Sequence, residues 1–190
     1  MKMVKKESET TKLFESLFPD HSFMTLEYRS PREYVEKYLL ALNRIDKSNP
    51  SDTLFGFIIN TLLFREGIKP FYYHATISDA PLVKYDTLLF SYDEPICLSL
   101  KTSLRERYKQ ADLEAIALKY VHRKAKIFLL TLDEKEARLT KSKIPEGLLI
   151  GLDDVIDCHT EQLDELLTML KSKSFCESKK IDVVIGNLVK

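Results

Sequence analysis

The stretch VKYDTLLFSYDEPICLSLKTSLRERYKQ, residues 83–110, decides the interpretation of the fold. Two segments rich in apolar residues, 83–92 and 95–101, flank Asp93-Glu94, which predicts a β-hairpin with its turn at that pair. The apolar residues of the next segment, 104–120, recur at helical spacing. We therefore expect a hairpin followed directly by a helix at the centre of the molecule.

Upstream of the hairpin the sequence predicts two helices and a strand. Ser30 and Pro31 have the residue types of a helix N-cap and first helical position, and apolar residues continue at helical spacing to Ile45. A second helix, apolar almost all round, is predicted over residues 53–65 and ends at Gly67. A helix with this composition is expected to be buried against a sheet. A strand over Phe71–Ile77 follows.

Downstream of the hairpin, strands and helices alternate. The sequence predicts a strand over residues 125–132, a short helix from 134, a strand near 148–150, a helix over Glu161–Lys171 and a last strand near 181–185. The whole order predicts an α/β fold, a mixed β-sheet flanked by α-helices. We expect a single domain, with a helical part at about 1–66, a core at about 67–150 and a helix and strand part at about 151–190.

Composition excludes several classes of protein. The chain has 190 residues, 44% of them hydrophobic, which is enough for a substantial core. Its 29 Lys and Arg balance 29 Asp and Glu, so a protein that coats nucleic acid through a large positive charge is not expected. Five glycines argue against a glycine-rich phosphate-binding loop.

The sequence also predicts a cytoplasmic protein with no membrane segment. The longest mostly apolar run, residues 53–64, is too short to span a bilayer, and the charged N-terminus lacks the apolar region of a signal peptide. Cys97, Cys158 and Cys176 are odd in number and widely spaced, which favours reduced thiols.

Charge is unevenly distributed despite the neutral total. Residues 101–126 contain eight Lys or Arg and three acids, whereas residues 133–165 contain ten acids and four bases. Such differences are typical of solvated helix faces. The basic stretch matters here because it directly follows the predicted hairpin.

The hairpin is expected to bring an acid and a lysine together. With the turn at Asp93-Glu94, Asp86 is opposite Lys101, and Ser99 shares their face because side chains alternate along a strand. A register slip of one residue would separate Asp86 from Lys101.

Glu114 lies on the helix that follows, and that helix is expected to pack back on the sheet. Asp86 and Glu114 together could bind a hard divalent cation, and Lys101 could orient or help to deprotonate an attacking water. These groups are what phosphodiester hydrolysis requires. The alternative interpretation is a surface salt bridge between Asp86 and Lys101 with Glu114 solvated.

On these residues the sequence resembles the PD-(D/E)XK nucleases, and within them the type II restriction endonucleases of the EcoRII and CCGG-cutting group. In that group the acid two residues before the lysine is replaced, often by Ser, and a Glu about thirteen residues after the lysine binds the metal. Ser99-Leu100-Lys101 and Glu114 match this pattern. The resemblance covers about residues 52–133, although Tyr85 precedes Asp86 where the pattern has Pro and the spacing from Asp86 to Lys101 is short.

The resemblance implies a restriction-endonuclease-like fold and assigns roles to these residues. Asp86, Lys101 and Glu114 would be catalytic, with Asp86 and Glu114 binding Mg²⁺ and Ser99 supporting them. Glu66 is a further candidate metal ligand.

The same resemblance implies how double-stranded DNA would be recognised. In this group a basic-acidic-basic cluster after the lysine contacts C·G pairs, and Arg105, Glu106 and Arg107 occupy that place. Glu can accept a hydrogen bond from cytosine N4 and Arg can bind guanine O6 and N7. The remaining candidate DNA-binding residues are Lys109, Arg123 and Lys124. The alternative for Arg105–Arg107 is a solvated cluster at a helix start.

The leading functional hypothesis is a Mg²⁺-dependent, sequence-specific endonuclease, a type II restriction enzyme that cuts both strands at a short site containing C·G pairs. Cutting two strands favours a homodimer, with a monomer acting twice as the alternative. Two other hypotheses stay open. One is a nuclease of the same fold that recognises DNA structure or damage, and the other is a non-catalytic DNA-binding or assembly module that kept the fold.

Overall fold

The computed structural model describes residues 9–47, 49–178 and 184–190. In these ranges the helices are α1 (Glu9–Ser16), α2 (Pro31–Asn43), α3 (Asp52–Arg65), α4 (Arg107–Val121), α5 (Glu134–Lys141) and α6 (Glu161–Lys171). The strands are β1 (Phe71–Ile77), β2 (Ala80–Leu89), β3 (Ile96–Lys101), β4 (Lys126–Thr131), β5 (Asp154–Asp157) and β6 (Val184–Val189). No helix of the described ranges is long and apolar enough to cross a membrane.

The strands form one mixed sheet of six strands in the order β5-β4-β3-β2-β1-β6. Strands β1, β2 and β3 are antiparallel neighbours, and β6 pairs antiparallel with β1. Strands β4 and β5 are parallel to β3, with α4 and α5 as the connections. The carboxyl ends of β3, β4 and β5 therefore meet at one edge of the sheet. The predicted α/β class and mixed sheet flanked by helices are confirmed.

Helices cover both faces of the sheet. On one face, which we call the α3 face, apolar residues of α2, α3 and α6 pack against Leu98 and Leu100. On the other, the α4 face, residues of α4 and α5 pack against Cys97 and Leu129. Even and odd residues of β3 thus point to opposite faces, as strand geometry requires.

Local signals position the helix ends as expected. The Ser30 hydroxyl accepts a hydrogen bond from Glu33 N at 3.4 Å, and Pro31 is the first residue of α2. Ser51 caps α3 in the same way through Leu54 N at 3.2 Å. Gly67, with a φ of 73°, follows the end of α3, and this left-handed conformation favours glycine.

Two elements differ from the sequence predictions, and a third lies partly outside the described residues. Residues 148–150 are not a strand, because the buried Asp112 accepts the backbone N–H groups of Ile150, Gly151 and Leu152 and holds this segment as a loop. The strand of this region is β5 instead. Helix α1 was not predicted, since its eight residues contain few apolar positions. The last strand begins at Val184, and residues 181–183 of the predicted 181–185 lie outside the described ranges.

Candidate functional site

Asp86 and Lys101 meet where β2 and β3 separate. The pairing of these strands runs from Leu89–Ile96 to Thr87–Leu98 and then stops. Beyond it, Oδ2 of Asp86 accepts hydrogen bonds from Leu100 N and from Lys101 Nζ, both at 2.8 Å. The Asp86 carboxylate thus takes the place of a backbone partner and also binds the lysine.

The register of the hairpin differs from the predicted one by two residues. Leu88 pairs with Cys97, whereas the prediction had Leu88 opposite Ser99 and Asp86 opposite Lys101. A shift of two residues keeps every side chain on its face. Lys101 therefore still reaches Asp86, along a diagonal.

The Lys101 side chain is almost wholly enclosed, with 9% of its surface exposed against 30% for Asp86. A buried ammonium group is stable only with a counter-charge and hydrogen-bond acceptors. Asp86 provides both. The alternative of an ordinary surface salt bridge is thus wrong for the lysine, which lies in the protein interior.

Glu114 completes the predicted group from the α4 side. Burial raises the pKa of its carboxyl group, the hydrogen bond from Gln110 Nε2 at 2.7 Å and the charge of Lys101 lower it, and the charge of Asp86 raises it. Glu114 is thus half-buried and interacts electrostatically with both other residues. The structure thus pairs Asp86 with Lys101 and places Glu114 within electrostatic range of both.

Two buried hydroxyl groups belong to the same region. Ser99 Oγ and Tyr85 Oη are both enclosed and have no hydrogen-bond partner among the described residues. Ser99 precedes Lys101 by two positions on β3 and so shares its face. Burial raises the pKa of Tyr85, and the neighbouring Cys97 and Glu114 add to the rise, so the phenol stays protonated.

Tyr85 reaches the α4 face because the alternation of β2 breaks at Asp86. Thr87 Oγ1 donates to Asn60 Oδ1 of α3 at 2.7 Å, so Thr87 points to the α3 face. Tyr85, two residues away, packs instead in the core of the α4 face. The neighbouring strand β1 breaks at the same level, where His74 has a φ of 50°. Because of this irregularity Tyr85 faces α4, whereas Asp86 binds Leu100 N and Lys101 Nζ at the gap between β2 and β3.

The oxygen donors of this region are of the type that a hard cation prefers. Asp86 and Glu114 supply carboxylates, and Ser99 and Tyr85 supply hydroxyls without partners. Among the described residues no cluster of three or more His, Cys, Asp or Glu side chains is placed to hold a metal ion. Cys97 adjoins the site, but its full burial raises the pKa of its thiol, and a thiol is a poor ligand for Mg²⁺.

Glu66 does not join this group. It follows the last turn of α3, where its carboxylate accepts a hydrogen bond from Tyr28 Oη at 2.5 Å and forms an ion pair with Lys171 of α6. These contacts join the end of α3 to the segment before α2 and to α6, and the prediction of Glu66 as a metal ligand is not supported by its position.

The acid of α3 that lies near Lys101 is Asp52, at the opposite end of the helix. Its Oδ1 accepts hydrogen bonds from Thr102 N at 2.9 Å and Thr102 Oγ1 at 3.0 Å, and its carboxylate pairs with Arg107. The sequence offered only a weak signal for it, an acid directly after the helix cap Ser51. Its proximity to Thr102 depends on how α3 lies across the sheet.

The predicted base-reading cluster has three different environments. The guanidinium of Arg107 is held by Asp52 and by Ser103 O at 3.4 Å, so Arg107 links α3 and α4. Glu106 is exposed and pairs with Lys109. Arg105 is exposed, with a left-handed φ of 39°, and its N–H donates to Glu136 at 2.8 Å.

The predicted helix start at these residues is therefore wrong in detail. Helix α4 begins at Arg107, and the Glu136 carboxylate accepts N–H groups from both Leu104 and Arg105 and holds the chain in a turn. Arg105 and Glu106 lie on the turn before the helix.

Arg123 and Lys124 lie at the other end of the sheet. They precede β4, where Lys126 N bonds to Pro95 O beside the start of β3. Lys101 ends β3, about 17 Å away at roughly 3.3 Å per residue. Lys124 pairs with Asp93 at 2.7 Å, and Arg123 is exposed. The basic stretch of the sequence is thus divided between two ends of the molecule.

A groove of about 770 Å³ opens beside the residues that follow Lys101. Basic and hydroxyl groups of Thr102, Ser103, Arg105, Lys135 and His159 are part of its lining. Two acids, Asp133 and Glu134, line it as well. No local sequence pattern indicates this groove, because its walls come from four separate parts of the chain: residues 39–50, 102–105, 132–135 and 159.

No protein-family model, curated protein or solved structure matches the chain.

Proposed function

We propose that this protein is a Mg²⁺-dependent, sequence-specific DNA endonuclease of the type II restriction class, with a restriction-endonuclease-like fold. It would hydrolyse phosphodiester bonds of duplex DNA at a short site containing C·G pairs. The observation that carries the proposal is the buried Lys101 bound to Asp86 at 2.8 Å, with Glu114 in the field of both.

Each of the three residues has a role that follows from its chemistry. Asp86 and Glu114 would hold Mg²⁺ through carboxylate oxygens. When bound, this ion supplies positive charge beside the reacting phosphate and a more acidic water. Lys101, fixed by Asp86, would orient the attacking water and stabilise negative charge on the phosphate as the bond from phosphorus to the leaving sugar oxygen breaks.

The surface next to Lys101 has groups that suit DNA. Arg105 and Glu106 are exposed on the turn after β3, and Lys109 is exposed in the first turn of α4. Arg105 also lines the groove with Lys135 and His159. Arg and Lys would contact phosphates, and Glu106 would accept from cytosine N4.

Two further features belong to this proposal. A homodimer would place two such sites on the two strands of a palindromic target, whereas a monomer would have to cut twice. A restriction enzyme would act in the cytoplasm, where the DNA to be cut is met.

The test is cleavage of a long DNA by the purified protein with Mg²⁺, followed by sequencing of the ends. We expect the ends of the DNA fragments to lie at one short sequence. We expect no cleavage in EDTA and none by the Lys101→Ala variant. Ca²⁺ replaces Mg²⁺ as a control, since it usually supports binding without turnover. If the protein cleaves no DNA in Mg²⁺, the endonuclease proposal fails, and the hypothesis of a non-catalytic DNA-binding module is favoured.

A second candidate is a nuclease of the same fold that recognises DNA structure or damage. The observation that favours it is the engagement of Arg107 by Asp52, which removes one of the two arginines from the surface that would read bases. The same experiment separates the candidates, because this nuclease would produce ends without a common sequence and would prefer nicked, branched or damaged duplexes.

A further inference from the structure

The hydroxyl group of Tyr85 is an unusual feature of the α4 face. Tyr85 is 2% exposed, and its Oη has no hydrogen-bond partner among the described residues. Leaving a buried hydroxyl without a partner costs free energy. Phenylalanine would fill the same apolar space without that cost, so packing alone does not explain the oxygen.

The position of the hydroxyl indicates where its partner would come from. The break in β2 turns Tyr85 toward α4, where it packs in the same core as Ala111 and Ala115. Glu114 lies on the same helix and interacts electrostatically with Tyr85. Ser99 Oγ, the other buried hydroxyl without a partner among the described residues, lies on the same face of β3 as Lys101.

We propose that Tyr85 is a positioning residue for the divalent cation, and this rests on the proposed function. Its hydroxyl donates a hydrogen bond to an oxygen of the ligand shell, either the Glu114 carboxylate or a water that the cation holds. Such outer partners orient the ligands and increase their basicity. No described residue forms a hydrogen bond with this hydroxyl, so its removal should not weaken the fold.

Tyr85→Phe tests this, since it removes the oxygen alone. In EDTA, its denaturation midpoint should equal or exceed that of the wild type. Affinity for Mn²⁺, measured by calorimetry without DNA, should fall roughly tenfold to a hundredfold. The Mg²⁺ concentration for half-maximal cleavage should rise, while affinity for DNA in Ca²⁺-free buffer stays unchanged.

Tyr72→Phe is the matched control, because it deletes the same atom where a hydrogen bond is made. Tyr72 Oη accepts from Ser178 N at 3.0 Å. This variant should lose stability in EDTA and keep the wild-type affinity for Mn²⁺. Tyr85→Phe and Tyr72→Phe are thus expected to show opposite patterns.

Two results would overturn the inference, and they are distinguishable. If the wild type binds Mn²⁺ and cleaves DNA but Tyr85→Phe does so equally well, Tyr85 is only a core residue and the proposed function stands. If the wild type binds no divalent cation, both the inference and the proposed function fail.

Discussion

Lys101 Nζ lies 2.8 Å from Asp86 Oδ2, and the same carboxylate oxygen accepts the backbone N–H of Leu100. Asp86 therefore binds β3 at two consecutive residues, through the Leu100 backbone and the Lys101 side chain. A substitution at Asp86 therefore removes the counter-charge of the buried Lys101 and also a hydrogen bond at the end of the hairpin. The stability of a variant changed at Asp86 alone should thus differ from that of a variant changed at both Asp86 and Lys101.

Asp86→Asn should abolish cleavage and lower the free energy of unfolding by about 1–3 kcal/mol, because Lys101 loses its counter-charge. Lys101→Met and Glu114→Ala should also abolish cleavage, with Ser99→Ala milder. Combining them should cost little more activity than one alone, since the residues act as a unit. In unfolding experiments the Asp86→Asn, Lys101→Met double variant should recover part of the lost stability. Additive losses in both assays would contradict the pairing.

The pKa of Glu114 is raised by burial, so ionising this carboxyl costs folding free energy. The folded protein then holds its proton at pH values where the unfolded chain has lost it, so this contribution to stability falls as pH rises above the ordinary glutamate pKa of 4.5. Denaturation in EDTA should show Glu114→Gln and wild type equally stable well below that value, with the variant more stable at neutral pH. The variant should nevertheless be inactive.

Glu106→Gln is the control for that pH series. The pKa of Glu106 is lowered by its hydrogen bond and ion pair with Lys109. Glu106→Gln should therefore leave stability unchanged at low pH. At neutral pH it should lower stability slightly, which is the opposite of the change expected for Glu114→Gln. If both variants behave alike, burial is not what shifts Glu114.

Arg107→Ala should act mainly on stability. Its guanidinium joins Asp52 of α3 to the start of α4, and both side chains are about one-third exposed. We expect a double-mutant cycle with Asp52→Ala to give a coupling of about 0.5–1.5 kcal/mol in urea denaturation. DNA affinity should fall alike on all sequences. A loss confined to C·G variants of the site would mean that Arg107 leaves Asp52 to read a base.

Glu106→Ala should relax specificity instead. Its exposed carboxylate would accept from cytosine N4, a contact worth roughly 1–3 kcal/mol of discrimination, so affinity for the cognate site should fall about tenfold to a hundredfold. The loss should be concentrated at C·G positions in a binding series over single-base variants in Ca²⁺. Equal losses on every variant would show that Glu106 supports the turn and reads no base.

Salt dependence of DNA binding should distinguish the two ends of the sheet. Arg105→Ala, in the groove beside Thr102, should reduce the slope of log affinity against log salt by about one unit. Replacing Arg123 and Lys124 by Ala should change the slope less, because they lie at the far end and Lys124 is paired with Asp93. A larger change from Arg123 and Lys124 would place the DNA across that end.

Local sequence determined the elements and which residues share a face. Some features depend only on neighbours within a few residues, so they could be predicted directly. They are the helix cap at Ser30, the helix end at Gly67 and the alternation of side chains along the hairpin strands. Asp86 and Lys101 were expected to meet because a hairpin joins them over a short loop. The period of two also explains why a register error of two residues left that prediction intact.

Only the tertiary structure decided which distant groups surround that pair. Asp52 lies beside Thr102 because α3 crosses the sheet with its first turn there, and Tyr85 turns to α4 because β1 and β2 break alternation together. Such relationships arise from packing between separate segments, which no local pattern encodes. For the same reason a single basic stretch of sequence became two separate surfaces, since α4 carries Arg123 and Lys124 to the opposite end of the sheet from Lys101.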